Sequence, residues 1–213
     1  MTLLGASEIR ALAALLDLKP SKSLGQNFVI DANVCRKIVR AADVKSDDVA
    51  LEIGPGLGSL TLALLEEASS VVAIEIDQRL ATQLSITAAQ HSDRAAGLTV
   101  INSDALAIRT LDVAPTVLVA NLPYNVSVPV FLHLLEFFPT LRTGVVMVQA
   151  EVADRLAAKP NSKEYGIPSV KAAWWADVTG AGSVSRSIFW PAPNVDSKLV
   201  SFTRHAPLGD EAL

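Results

Sequence analysis

The chain of 213 residues reads as an α/β protein built on a mostly parallel sheet with helices on both faces. Three observations predict this. Short apolar segments alternate with helical ones from Val49 onward. The strand segments are apolar runs, as expected where both faces of a sheet are covered. Polar or glycine residues recur at one end of the strands: Gly54, Glu75, Asp104 and Asn121, one after each successive strand. In open α/β sheets ligands collect at the carboxyl ends of the strands, so the recurrence marks a binding edge.

Taken in order, Ser7 to Leu18 carries apolar residues at helical spacing, with Ser7 as the N-cap and Pro20 as the stop. Ser21 to Asp31 has no period and reads as a loop carrying Gln26, Asn27 and Phe28. Asp31 or Ala32 opens a helix to about Ala42. Strands are read at Ala50–Ile53 (the apolar run starting at Val49), Val71–Ile76, Leu98–Asn102, Thr116–Ala120 and Thr143–Val148. Helices are read at Ser59–Glu67, Gln78–Gln90, Ser127–Phe137 and Ala150–Ala158. Beyond Pro160 the alternation fades. Ser183 to Val200 is irregular, and its prolines exclude a central strand. Lys198 to Thr203 alternates like a final strand, antiparallel to its neighbour, and His205 to Leu213 reads as a frayed tail.

Half the residues are apolar and 19% are charged, which suits a buried core rather than disorder. No apolar run approaches the roughly 18 residues of a bilayer span. Met1 to Leu18 lacks the basic start and cleavage pattern of a signal peptide. Cys35 is the single cysteine, so neither an internal disulfide nor a cysteine-based zinc site is expected. These features lead to the expectation of a soluble, cytoplasmic protein away from membranes. The net charge of −4 does not advertise a nucleic-acid binder, but phosphate contact depends on local clusters. Lys19, Lys22, Arg36, Lys37, Arg40 and Lys45 form one basic neighbourhood, and Lys159, Lys163, Lys171 and Arg186 a second; both also read as solvated faces.

The run from Val49 to Thr61 organises the chain. An apolar strand leads to Gly54, Gly56 and Gly58 at alternate positions, and Ser59 then opens a helix. Glycines let a backbone turn tightly and approach a ligand, and the helix start offers unpaired N–H groups. A dinucleotide fingerprint places its third glycine five residues after the first, where this chain has Ser59. Glu75 stands at the end of the next strand, either as a solvated strand end or as an acceptor for both ribose hydroxyls. The pattern Glu-x-Gly-x-Gly-x-Gly followed by Glu75 resembles S-adenosylmethionine-dependent methyltransferases. Asp104 reads either as a helix N-cap or as an acceptor for the adenine amino group.

Asn121-Leu-Pro-Tyr124 carries the candidate chemistry. Methyl transfer from a sulfonium to an exocyclic amine needs a nitrogen lone pair that adenine delocalises into its ring. The Asn121 amide oxygen and a nearby backbone carbonyl, expected from Leu122, accept the amine hydrogens and favour a tetrahedral nitrogen. Pro123 stiffens the turn, and Tyr124 stacks on the base. Catalysis of this kind rests on orientation and hydrogen bonding, with no metal and no covalent nucleophile expected.

With these residues in place, the chain resembles the ribosomal RNA adenine N6-methyltransferases, most closely the KsgA-type small-subunit rRNA adenine dimethyltransferases. The resemblance runs from about Lys19 to Arg204. It includes Ser23-Leu-Gly-Gln-Asn-Phe28, Glu52 to Gly58, Val72 to Asp77, Asn102 to Leu106 and Asn121 to Tyr124. It continues through Val148 to Leu156, Tyr165-Gly-Ile-Pro-Ser169 and Phe189-x-Pro-x-Pro-x-Val-x-Ser197. It implies a Rossmann-like methyltransferase fold, with a mostly parallel seven-stranded sheet and an antiparallel last strand. Residues 1–48 would form N-terminal helices and a cofactor-covering loop, 49–204 the catalytic domain and 205–213 a tail. The family usually continues into a small helical domain, and none is read after Thr203.

The resemblance implies S-adenosylmethionine contacts from Asn27, Val29, Gly54, Gly56, Glu75, Asp104 and Asn121. It places Phe189 near the target base, across from Tyr124. The implied reaction is dimethylation at N6 of two adjacent adenosines near the 3′ end of small-subunit rRNA, in an immature ribosomal small subunit, by a monomer. The competing readings are a large-subunit rRNA adenine N6-methyltransferase of the macrolide-resistance type, a non-catalytic RNA-binding scaffold of the same fold, and a nicotinamide-dependent oxidoreductase. Ser59 disfavours the last.

Overall fold

The computed structural model describes residues 2–18 and 27–206. In chain order the elements begin with α1 (Ala6–Leu15), β1 (Phe28–Val29), α2 (Ala32–Ala41), β2 (Val49–Ile53), α3 (Ser59–Glu67), β3 (Ser70–Glu75) and α4 (Gln78–His91). There follow β4 (Leu98–Asn102), β5 (Val117–Asn121), α5 (Ser127–Phe137), β6 (Thr143–Gln149) and α6 (Ala150–Leu156). The last are α7 (Ile167–Ala173), β7 (Ala176–Val184), β8 (Phe189–Trp190) and β9 (Ser197–Arg204).

Seven strands form one sheet in the order β4-β3-β2-β5-β6-β9-β7. β2 to β6 pair in parallel, and β9 lies antiparallel between β6 and β7. Side chains alternate across the sheet because successive residues of a strand point to opposite faces. Leu51, Ile53, Leu118, Ala120, Val146 and Val148 enter one core with Phe131 and Leu134 of α5. Ala50, Val117, Val119, Val145 and Met147 enter the other, with Ile38 of α2 and Leu64 of α3. Both faces are thus covered, which is why the strands read as apolar runs. At the amino ends, Asp48 joins three elements: it accepts from Thr116 Oγ1 at 2.7 Å, the Lys45 N–H at 2.7 Å and Arg142 Nη2 at 2.5 Å.

Several local expectations are corrected. α1 is capped by Gly5, whose N–H donates to Glu8 Oε2 at 2.8 Å, and not by Ser7. It stops before Pro20, because Asp17 takes φ 46° and the Leu18 and Asp17 N–H groups turn back to the carbonyls of Ala13 and Ala14. That left-handed cap satisfies the last carbonyls, and Asp adopts it more readily than most residues. Phe28 and Val29, read as loop, form β1 and pair with Trp190 and Phe189 of β8. α7 and β7 have no counterpart in the sequence reading. Gln26, Lys19 and Lys22 lie outside the described residues. Among the described residues, no helix is long and apolar enough to cross a membrane.

Candidate active site

The chain builds strands β2, β3 and β4 outward to one edge, then returns to add β5 on the other side of β2. The carboxyl end of β2 beside β5 is therefore the switch point where a crevice must open. A cavity of about 250 Å³ lies there. Of the expected residues, Asn27, Val29, Gly54, Gly56, Glu75, Asp104, Asn121 and Pro123 all line it.

The glycine turn shapes its floor. Gly54, Gly56 and Gly58 have φ of 66°, 59° and 99°, a region that side-chain-bearing residues rarely adopt. Gly56 also lies under Phe28, whose ring would stand 3.0 Å from an added Cβ. Gly58 caps α3. Ser59 Oγ donates to the Val29 carbonyl at 2.6 Å, so the residue replacing the dinucleotide glycine ties β1 down over the helix start. The Val29 carbonyl is thereby engaged, while its side chain packs in the core.

Glu75 is not a solvated strand end: it is 5% exposed. Its Oε2 accepts the Gly56 N–H at 3.1 Å and its Oε1 the Asp77 N–H at 3.0 Å, linking the strand end to the glycine turn. Burial pushes its carboxyl up, against the opposing backbone hydrogen bonds. Asn102 Nδ2 donates to the Glu75 carbonyl at 2.8 Å and holds the turn from the next strand. Asp104 caps a single 3₁₀ turn by accepting the Leu106 N–H at 2.9 Å, and it also lines the cavity. The cap is formed, and the position at the cavity leaves the acceptor role open to it.

Asn121 closes β5, and its Nδ2 donates to the Asn27 carbonyl at 3.1 Å. With the amide nitrogen so engaged, its oxygen is the remaining acceptor. Pro123 lines the cavity with Asn121, whereas Leu122 and Tyr124 are not among its lining residues. Leu122 is buried in the core, with its N–H on the Met147 carbonyl at 3.0 Å. Tyr124 is half-buried, and its hydroxyl pairs with Ser197 Oγ at 2.7 Å. Burial raises the Tyr124 phenol, and the Ser197 hydrogen bond partly offsets that. Phe189 differs from the expectation: at 3% exposure it packs in the core behind β1 and is not among the residues lining the cavity.

Among the lining residues to which the sequence reading gives no contact role are Glu52, Ile76 and Leu106. Glu52, 1% exposed, accepts from Thr61 Oγ1 at 2.6 Å, and burial pushes its carboxyl up to about 8. A lone acid inside an apolar strand was the signal. Ile76 and Leu106 line the cavity while 65% and 38% exposed; Ile76 directly follows Glu75, and Leu106 stands two residues after Asp104. They provide apolar walls for a flat ring.

The cavity is thus lined by three carboxyls, Glu52, Glu75 and Asp104, and among the described residues by no lysine or arginine. With Glu52 holding its proton, Glu75 and Asp104 are the carboxyls left to receive donor or cationic groups of a ligand. The family model described as "Ribosomal RNA adenine dimethylase" matches residues 18–212. The chain belongs to that family. Its activity is S-adenosylmethionine-dependent methylation of ribosomal RNA adenines. The cofactor's sulfonium and ammonium groups suit a cavity whose lining has carboxyl groups and, among the described residues, no lysine or arginine.

A protein named ribosomal RNA small subunit methyltransferase A from Leifsonia xyli subsp. xyli is 63% identical over 215 residues, covering 100% of this chain and 77% of its own. Its namesake from Streptomyces coelicolor is 60% identical over 206 residues, covering 96% of this chain and 72% of its own. Among solved structures, a dimethyladenosine transferase from Plasmodium falciparum superposes with a TM-score of 0.73 at 32% identity, covering 84% of this chain and 63% of that one. The 23S rRNA methyltransferase ErmE superposes with a TM-score of 0.75 at 29% identity, covering 87% of this chain and 73% of that one. The Rossmann-like fold is the one the family resemblance implies, and its parallel strands are those the alternation predicts.

Proposed function

We propose that the chain dimethylates N6 of two adjacent adenosines near the 3′ end of small-subunit rRNA. It acts as a monomer on an immature small subunit in the cytoplasm. The observation that carries this reading is Asn121, which lines the same cavity as Glu75 and Asp104 and has its amide nitrogen engaged by Asn27. S-adenosylmethionine supplies an electrophilic methyl group when bound. Glu75 accepts from the ribose hydroxyls and Asp104 from the cofactor's adenine amine.

The Asn121 oxygen and the backbone carbonyl of Leu122 accept the hydrogens of the target N6, drawing its lone pair out of the ring. Tyr124, held by Ser197, stacks on the flipped base. Flipping costs a few kcal/mol, and stacking returns roughly 1–3 kcal/mol per base. Phe189 acts from behind, by holding β1 and with it Asn27.

The relatives' small-subunit names favour this substrate over large-subunit RNA, the second reading, which the likeness to ErmE supports. Radiolabelled methyl transfer onto small and large subunits lacking these methyl groups distinguishes the two. Label on the small subunit only is expected. Asn121→Ala, assayed at saturating cofactor, should lose turnover while keeping RNA binding. Near wild-type turnover removes Asn121 from the chemistry, and no transfer to either subunit supports a non-catalytic scaffold.

A further inference from the structure

The second basic neighbourhood is not absorbed by the cavity, and the structure divides it. Arg186 is committed internally: it pairs with Asp196 at 2.9 Å and donates to the Asn194 carbonyl at 3.1 Å. Lys159, Lys163 and Lys171 are exposed, and among the described residues they make no ion pair. They lie on the connection from α6 and on α7. That connection is folded into successive turns, Ser162 N–H to Lys159 carbonyl and Tyr165 N–H to Ser162 carbonyl. Ser169 Oγ then fastens α7 to the Arg155 carbonyl at 2.6 Å.

Apolar rings and side chains lie among the lysines. Tyr165 is 37% exposed and Trp174 45%, and Ile167, Val170 and Trp174 follow the three-to-four-residue spacing of one helix face. An aromatic surface interleaved with unpaired cations matches a polyanion that carries stackable bases. A hydrophobic protein partner would leave three desolvated ammonium groups unpaired.

The face also connects with the catalytic turn. Tyr124 bonds Ser197, the next residue Lys198 pairs with Asp154 on α6 at 2.7 Å, and Arg155 beside it holds Ser169 of α7. We infer that Lys159, Lys163, Lys171, Tyr165 and Trp174 form a docking surface for the RNA flanking the target adenosine. The lysines contact phosphates and the two rings stack on unpaired bases. This rests on ribosomal RNA being the substrate.

The test compares the full chain with the Lys159→Gln/Lys163→Gln/Lys171→Gln and Trp174→Ala variants. The probe is unmethylated small subunits, titrated at several salt concentrations. The triple variant should lower the slope of log affinity against log salt by about 2–3. At physiological salt its KM for the subunit should rise about 10-fold, with kcat and cofactor affinity unchanged. Trp174→Ala should weaken binding about 5-fold or more, with the salt slope kept. Wild-type affinity and slope in both variants, with methylation intact, overturn the surface while leaving the proposed reaction standing. Should the triple variant fail to fold, Lys171→Glu, a single exposed change, carries the test: it should lower affinity most at low salt and so reduce the salt slope, and an unchanged affinity at low salt overturns the proposal. Absence of methylation by the wild-type chain, with subunit binding still lysine-dependent, counts against the reaction and supports the surface.

Discussion

Thr61 Oγ1 lies 2.6 Å from Glu52 Oε2 and donates to it, joining the third residue of α3 to the fourth of β2 beneath the glycine turn. The pair is buried, with 0% and 1% exposure. A single neutral donor offsets little of the cost of an interior carboxylate, so Glu52 holds its proton far above the ordinary range.

Stability should therefore have two pH limbs. Glu52 has a folded pKa raised from 4.5 to about 8, so its contribution is full below 4.5 and falls as pH rises to about 8, by ~1.4 kcal/mol per unit. Glu52→Gln should flatten that limb in denaturant titrations at pH 5 to 8. Asp48 behaves oppositely. Burial pushes its carboxyl up, but the Thr116, Lys45 and Arg142 hydrogen bonds outweigh this and hold it below 3.8. Its contribution is present above that pH and is lost as pH falls through the depressed value. An unchanged slope in Glu52→Gln between pH 5 and 8 removes the first limb.

Glu75→Ala should weaken S-adenosylmethionine binding by about 10- to 150-fold, the loss of roughly 1.5–3 kcal/mol of charge-assisted hydrogen bonding. Because Glu75 also holds Gly56 and Asp77, Glu75→Gln, which keeps one acceptor oxygen, should lose less. Calorimetry decides this. Equal affinities in wild type and Glu75→Ala place the ribose elsewhere.

A pair of glycines tests the packing of the sheet. An added Cβ at Gly144 in β6 would meet the Leu118 carbonyl oxygen at 2.2 Å, whereas at Gly180 in β7 it would meet nothing within 4 Å. Gly144→Ala should cost about 3 kcal/mol or more. Gly180→Ala should stay within about 0.5 kcal/mol of wild type. Thermal melts that rank the two the other way contradict the strand register.

Tyr124→Phe keeps the ring and removes its anchor on Ser197. A modest fall in kcat, about 3- to 10-fold, is expected from one lost hydrogen bond of ~1 kcal/mol. Tyr124→Ala should fall further, since it also removes the stacking face. If the two variants have equal kcat, the ring is not stacking on the base.

The half of the sheet with parallel strands was legible because its signals are local: an apolar run, then a polar or glycine residue at each strand end. Gly54, Glu75, Asp104 and Asn121 were found in that way and do line one cavity. The far edge was not legible. β7 lies at the sheet border with alternate residues exposed and a bulge at Gly180 and Gly182, so its sequence lacks an apolar run. β1 and β8 are two residues each and exist only through each other. Ser59 was weighed as a missing glycine, whereas its hydroxyl is a fastener for β1. Glu52 opens the glycine pattern, but its buried pairing was not legible because its partner, Thr61, becomes its neighbour only when α3 folds back onto the sheet.

The β1–β8 ladder, with Phe28 stacked on Trp190 at a centroid distance of 6.4 Å, also orders events during synthesis. The glycine turn and its neighbouring strands leave the ribosome early and can pair among themselves. The wall that covers them comes from the first part of the chain; Ser59 fastens it through the Val29 carbonyl, but its strand partner β8 is made only just before the last strand. Long-range pairings of this kind form late, because closing the intervening loop is costly. A nascent chain halted before Trp190 would carry the floor of the cofactor site with its wall held by Ser59 without β8, and should bind the methyl donor more weakly.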